Sequence, residues 1–202
     1  NHFIQRYTKK WGWVYDPFLG SATTAIECEE LERNIIGIDI QKSLVDRAKE
    51  LVPSEKIHAH FGVGDSSSEE TLKDVEKILK HRDIDGVDLA ILHPPYFDII
   101  RFSDKAEDLS NTENIPQFLA SFGKVIHNTH KILKKKWYMV IVIGDAYKKG
   151  EWVPLGFMCM AEAQKYGFTL KSIIVKNMEG NRAKLWSGWI WKYRALSSDY
   201  YV

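Results

Sequence analysis

The sequence predicts an α/β fold with a mostly parallel sheet and helices on both faces, on three observations. Short apolar runs rich in β-branched residues recur at 13–15, 35–38, 57–61, 87–92, 138–143 and 173–175, and read as strands. Between them, 23–31, 44–51, 69–81, 115–133 and 155–166 show helical spacing; Leu72, Val75, Ile78 and Leu79, for example, share one helix face. No repeat, low-complexity tract or Pro/Gly-rich linker divides the 202 residues, so residues 1–202 are expected to form a single domain.

The first run passes straight into Asp16-Pro17-Phe18-Leu19-Gly20-Ser21-Ala22-Thr23-Thr24, and a helical pattern follows. Gly20 permits a tight turn and close approach to a ligand, Pro17 stiffens the exit, and the amides that open the helix make a partial positive end. With one glycine, the loop is neither a GxGxxG dinucleotide fingerprint nor a GxxxxGK[ST] phosphate loop, which argues against a dehydrogenase or an NTPase. The second run ends at Asp39, about 20 residues beyond the loop, where a carboxylate can accept both hydroxyls of a ribose. The competing reading makes Asp39 an N-cap for the helix after Gln41. The third run leads to Gly62-Val63-Gly64-Asp65, so Asp16, Asp39 and Asp65 would converge where parallel sheets bind ligands, at the C-terminal ends of their strands.

The fourth run ends in His93-Pro94-Pro95-Tyr96. Two prolines remove two backbone donors and fix φ, leaving a rigid segment whose carbonyl oxygens can face a ligand. The plainer reading is a strand stop with Tyr96 packed nearby. Residues 97–114 make a connection longer than usual and are predicted to close over the site as a lid. The fifth run leads to Gly144-Asp145, expected to be structural, and after 173–175 a turn region at 177–181 precedes a strand over 184–193, expected as an antiparallel addition at the sheet edge.

Composition narrows the setting. The 28 Lys and Arg balance 27 Asp and Glu overall, yet residues 1–118 carry 14 basic and 22 acidic side chains (−8) and residues 119–202 carry 14 and 5 (+9). Lys134-Lys135-Lys136, Lys148-Lys149 and Arg182/Lys184, with Trp186, Trp189, Trp191 and Tyr193 among or after them, suit a surface that follows phosphates and stacks bases. A solvated lysine face is the alternative. The two cysteines, Cys28 and Cys159, form no CxxC and no ligand set with histidine; they read as buried thiols of a reducing compartment, with no metal. No apolar run approaches the roughly 20 residues that span a bilayer, and the first residues lack a signal-peptide pattern, so a cytoplasmic location without membrane contact is expected. The chain begins with Asn1 rather than Met, which points to further N-terminal sequence.

DPFLGSATT followed by HPPY resembles the DNA amino-methyltransferase family, whose members carry DPFxGSGTT for S-adenosyl-L-methionine and [DNS]PPY for the target base; Arg33-Asn34-Ile35-Ile36-Gly37-Ile38-Asp39 is similar to the family's second strand. The resemblance covers roughly residues 3–150 in the family's own order. It implies a seven-stranded Rossmann-like methyltransferase core with one antiparallel edge strand, and a site-specific DNA methyltransferase, adenine-N6 or cytosine-N4, of the kind found in restriction-modification. Carried over, Asp16, Phe18, Gly20, Ser21 and Thr24 would contact the methionine part of the cofactor, Asp39 its ribose and Asp65 its adenine. His93 and the Pro94 carbonyl would accept the two amino hydrogens of a base taken out of the stack, beside Pro95, and Tyr96 would stack on it.

Two departures matter. Ala22 replaces the family's second loop glycine, which is tolerated if φ is negative there and is expected to weaken cofactor binding if it is not. His93 replaces Asp, Asn or Ser, and since only neutral imidazole has an acceptor nitrogen, turnover is expected to fall as pH drops through a histidine pKa, about 6.5 when unperturbed. Neither cysteine follows a proline as in C5-cytosine methyltransferases, so C5 methylation is disfavoured. An RNA guanine-N2 methyltransferase and a non-catalytic cofactor- or DNA-binding subunit are the rival readings. Site selection falls to further N-terminal sequence, to the basic C-terminal segment, or to another subunit or a second copy.

Overall fold

The computed structural model describes residues 2–95, 109–148, 151–176 and 199–201, and strand and helix alternate through them. The elements are α1 His2–Tyr7, β1 Trp13–Asp16, α2 Thr23–Glu30, β2 Asn34–Asp39, α3 Lys42–Leu51, β3 Ala59–Val63, α4 Glu69–His81, β4 Val87–Leu92, α5 Ile115–Ile132, β5 Leu133–Ile143, β6 Ala146–Lys148, β7 Glu151–Val153, α6 Leu155–Lys165, β8 Ile174–Lys176 and β9 Asp199–Tyr201, with a 3-10 turn at Leu109–Asn111. The first five strands form a parallel sheet in the order β3-β2-β1-β4-β5. Every residue of β1 and β2 is buried, as central strands covered on both faces require. The order reverses beside β1, so a crevice opens between the loops that follow β1 and β4.

Helices cover both faces. Leu72, Val75 and Leu79 of α4, Phe118, Phe122, Val125 and Ile126 of α5, and Leu155 and Cys159 of α6 pack with Trp13, Tyr15, Ile36 and Ile38 on one side. On the other, Ile4 of α1, Ala25 and Cys28 of α2, and Ala48 of α3 pack with Val14, Ile35, Leu89 and Val140. α4 has the same bounds as its apolar spacing predicts, because its ends are written locally: the Ser68 hydroxyl accepts the Thr71 N–H at 3.1 Å, Glu69 and Glu70 fill the first turn, and Lys80 and His81 the last.

Several expectations shift. β3 begins two residues later than the apolar run, and β5 begins at Leu133, five residues before the predicted 138. Val87 pairs with Leu133 but Leu89 pairs with Tyr138, so Lys134 to Trp137 bulge out opposite the single residue Asp88, with Lys136 at φ 67°. This bulge separates Lys134 from the exposed Lys135 and Lys136. Lys134 Nζ lies 2.8 Å from Asp88 Oδ1 and 3.6 Å from Asp85 Oδ1, and the other Asp88 oxygen accepts the Trp13 N–H at 2.7 Å. Lys134 is therefore a structural cation, and the triplet sits at the N-terminal end of β5, away from the crevice. Sequence periodicity did not anticipate α1 or the β6–β7 hairpin.

β9 pairs antiparallel with β5 through Val142↔Tyr201 and Ile143↔Tyr200, and with β8 through Val175↔Tyr200. The strand expected over 184–193, Arg182, Lys184, the four C-terminal aromatics, Lys149, Tyr96 and most of the lid, 97–108, lie outside the described residues. Among the described residues no helix is long and apolar enough to cross a membrane. Cys28 and Cys159 are free and buried, and burial pushes both thiols far above the usual range.

Candidate functional site

The loop after β1 is held from within and from β2. Asp16 is buried; its Oδ1 accepts the Phe18 N–H at 2.9 Å, and the Thr24 hydroxyl also bonds its carboxylate. The Leu19 N–H reaches the Ile38 carbonyl at 2.9 Å, and the Leu19 side chain lies over Gly37, where a Cβ would come within 2.7 Å of Leu19 Cδ1. Gly37 is thus needed for close approach of the loop to β2. Phe18 packs its ring against Phe122 of α5, centroids 6.2 Å apart, which aims the backbone of 18–20 at the crevice. Gly20 has φ 50° and Ala22 has φ 64°. The alanine therefore has a positive φ, in the left-handed region that glycine adopts freely and alanine at a cost of roughly 1–2 kcal/mol.

Asp39 braces two loops. Its Oδ2 accepts the Gly20 N–H and its Oδ1 the Gln41 N–H, each at 2.8 Å. It does not cap α3, whose N-cap is Gln41 without a side-chain bond. Each oxygen keeps a second lone pair for a ligand hydroxyl. Asp65 folds back on its own turn, accepting the Ser67 N–H and hydroxyl, both at 2.8 Å. Sequence reasoning passed over Ser66 and Asn128, which lock this third loop in place. The Ser66 hydroxyl donates to the Pro17 carbonyl at 2.8 Å, and buried Asn128 of α5 donates to the Ser66 and Ser68 carbonyls. The polar pair Asn128-Thr129 among the apolar positions of α5 was the available signal.

These loops enclose a cavity of about 400 Å³. Asp16, Phe18, Gly20, Ser21 and Thr24 line it from the first loop, Asp39 from the second, Asp65 from the third, and His93, Pro94 and Pro95 from the fourth. Every predicted site residue within the described part of the chain therefore meets in one place. Leu109 and Val125 close one wall, and Ile40, Gln41 and Leu44 another. Among the described residues three carboxylates and no lysine or arginine line it, an acceptor set suited to hydroxyls and amines rather than phosphates. Burial outweighs the Thr24 and Phe18 hydrogen bonds at Asp16, and with Asp39 nearby its pKa is pushed up to about 6. Because burial makes its charge costly, Asp16 is a candidate contact for a positively charged ligand group. Among the described residues no group of three or more His, Cys, Asp or Glu is arranged to hold a metal.

Comparisons with known proteins bear on the fold and the family. Over its full length the chain is similar to a solved SAM-dependent methyltransferase of Methanosarcina mazei, with a TM-score of 0.59, 14% identity and 94% of that chain covered; this is a likeness of fold. It is 50% identical over 42 residues to the type II methyltransferase M.HpaI of Haemophilus parainfluenzae and 44% identical over 41 residues to M.SmaI of Serratia marcescens. These matches take in 21% and 20% of this chain, and the chain spans only 13% and 14% of the length of those relatives. A family model described as DNA methylase, of the N6/N4 type, matches residues 1–50 and 87–194. Both loops that carry the sequence resemblance, the one after β1 and the one after β4, fall inside the matched segments, and the chain belongs to the N6/N4 DNA methylase family.

Proposed function

We propose that the chain is the catalytic domain of a DNA methyltransferase that moves a methyl group from S-adenosyl-L-methionine to an exocyclic amino nitrogen, N6 of adenine or N4 of cytosine. The observation that carries this reading is the cavity shared by three strand-end carboxylates and the His93-Pro94-Pro95 segment. Its volume is that of a small-molecule site, and its acidic lining suits a cationic adenosine derivative and opposes a dinucleotide or nucleotide phosphate. When bound, the cofactor supplies an electrophilic methyl on a sulfonium.

The chain's own residues bind and orient. Asp16, with Phe18, Gly20, Ser21 and Thr24, faces the amino-acid part; Asp39 receives ribose hydroxyls, and Asp65 the adenine. An amino nitrogen conjugated to a base is a weak nucleophile. The neutral His93 ring and the Pro94 carbonyl accept its two hydrogens, which localises the lone pair and aims it at the methyl. Pro95 keeps the segment rigid and Tyr96 stacks on the base; the N–C bond would form as the sulfur–methyl bond breaks, leaving a thioether, and the amino proton would pass to solvent. A slight preference for adenine goes with this reading. We also take β8 and β9 as completing a seven-stranded core, in which the antiparallel strand is β9, inside β8 rather than at the edge. Target selection is assigned to sequence other than this domain's core or to another subunit.

Incubation with isotopically labelled S-adenosylmethionine and unmethylated DNA or RNA, then nucleoside mass spectrometry, tests the proposal. Label in N6-methyladenine or N4-methylcytosine supports it, and label in RNA guanine moves the substrate to the RNA reading. Stoichiometric cofactor binding without transfer to either would make the chain a binding subunit. Comparing the pH dependence of kcat for wild type and His93→Asn tests the acceptor role, since identical acid limbs would remove His93 from the mechanism.

A further inference from the structure

Beside the crevice the chain builds a second feature that the cofactor cavity does not use. Leu92 pairs with Ile141 in parallel register, so β4 and β5 run to the same rim, where the His93–Pro95 segment follows one and Gly144-Asp145 the other. From Asp145 the β6–β7 hairpin leaves that rim. Ala146 and Val153 pair at its base, and Ala146 is buried in the core that contains Leu92 and Leu109.

Asp145 holds two groups at once. Its Oδ2 accepts the Trp152 indole N–H at 2.9 Å and its Oδ1 accepts the Gly156 N–H of α6 at 3.1 Å. The indole is thereby tied by its only polar atom to the first turn of a helix. It is nevertheless 41% exposed, and Phe157, in the same helical turn, is 46% exposed. A large apolar ring whose polar atom is satisfied within the protein and whose surface meets solvent is a stacking platform.

We propose that Trp152 stacks on a nucleobase of the strand that enters the His93–Pro95 crevice, next to the base that reacts, and that Asp145 is the positioning residue that orients the indole. The inference rests on the proposed nucleic-acid substrate. It adds a contact outside the cofactor cavity: neutral, tolerant of base identity, and able to hold the strand while one base is drawn out.

Fluorescence anisotropy of a labelled short single-stranded oligonucleotide, with S-adenosylhomocysteine present, is the test, on wild type, Trp152→Ala, Trp152→Phe and Asp145→Asn. Trp152→Ala should bind about 5- to 150-fold more weakly, the loss of one base–aromatic stack. Trp152→Phe should recover most of the affinity, and Asp145→Asn should fall between them. Because the contact carries no charge, the slope of log affinity against log salt should be the same for Trp152→Ala as for wild type. Calorimetric binding of S-adenosylhomocysteine should be unchanged in all three variants. Trp152→Ala within twofold of wild type, or a changed salt slope, overturns the stacking role while leaving the substrate reading intact. A parallel loss of cofactor binding would overturn it too, by showing general damage. Wild type that binds no nucleic acid removes the substrate reading and this inference together.

Discussion

Replacing Asp16 with asparagine should stabilise the ligand-free protein while ending its ability to bind the cofactor. The carboxylate is 3% exposed, and burial lifts its pKa from 3.8 to about 6. An acid whose folded pKa lies above its unfolded one makes the fold bind protons more readily than the unfolded chain. Its contribution therefore turns unfavourable as pH rises from 3.8 through about 6, and stays constant above that. Two pK steps of about 1.4 kcal/mol make the ionised group cost about 3 kcal/mol at neutral pH. An amide of the same shape can still accept the Phe18 N–H through Oδ1, so most of that cost should be recovered. Urea unfolding of wild type and Asp16→Asn should differ by about 2–3 kcal/mol near pH 8, the variant being the more stable, and by roughly half as much near pH 5. Calorimetry on the same samples should show lost affinity for S-adenosylmethionine. A variant no more stable than wild type at pH 8, or a gap that does not narrow on acidification, would refute the claim that Asp16 is held ionised against its own desolvation.

Other substitutions probe the frame of the site. Gly37→Ala sets a methyl 2.7 Å from Leu19 Cδ1 and 3.1 Å from Phe61 Cδ1, so thermal melts should show a loss of about 1–3 kcal/mol, and calorimetry weaker cofactor binding as the Leu19 loop is pushed from β2. Lys134→Ala leaves the buried Asp88 without its cation and should cost about 2–4 kcal/mol by denaturant unfolding, with oligonucleotide affinity unchanged in the folded variant. Arg82 donates to His60 Nε2 at 2.9 Å, and burial with this neighbouring cation lowers the His60 pKa below 6.5. The unfolded chain then takes up a proton first on acidification, so this contribution is complete above 6.5 and lost below it. His60→Gln should flatten the stability profile between about pH 5 and 7; a profile as steep as wild type would discount the pair.

The parts of the site that could be read in the sequence were those written within a few residues of one another. Turn chemistry around Asp16–Gly20, the acid ending β2 and the paired prolines after β4 each declare a strand end by themselves, and alternation supplies the sheet that gathers them. Partnerships across long separations could not be read this way. Lys134 looks like one of three surface lysines until β5 bulges and Asp88, 46 residues earlier, takes its charge. Gly37 reads as a soft spot in a strand, whereas its lack of a side chain is what admits Leu19. β6 and β7 are three residues each, too short for periodicity to register, and Lys148-Lys149 disguised them as a charge cluster.

The Asp39 bridge bears on how the cavity meets its ligand. With Gly20 and Gln41 already tethered to one carboxylate, two of the three loops that must face an adenosine are placed before it arrives. Ligand hydroxyls join that carboxylate without displacing either tether, so little entropy is left to lose there on binding. Amide hydrogen exchange at Gly20 and Gln41 should then be slow in the free protein and hardly slower in the complex. Whatever ordering accompanies the reaction must be concentrated elsewhere on the rim.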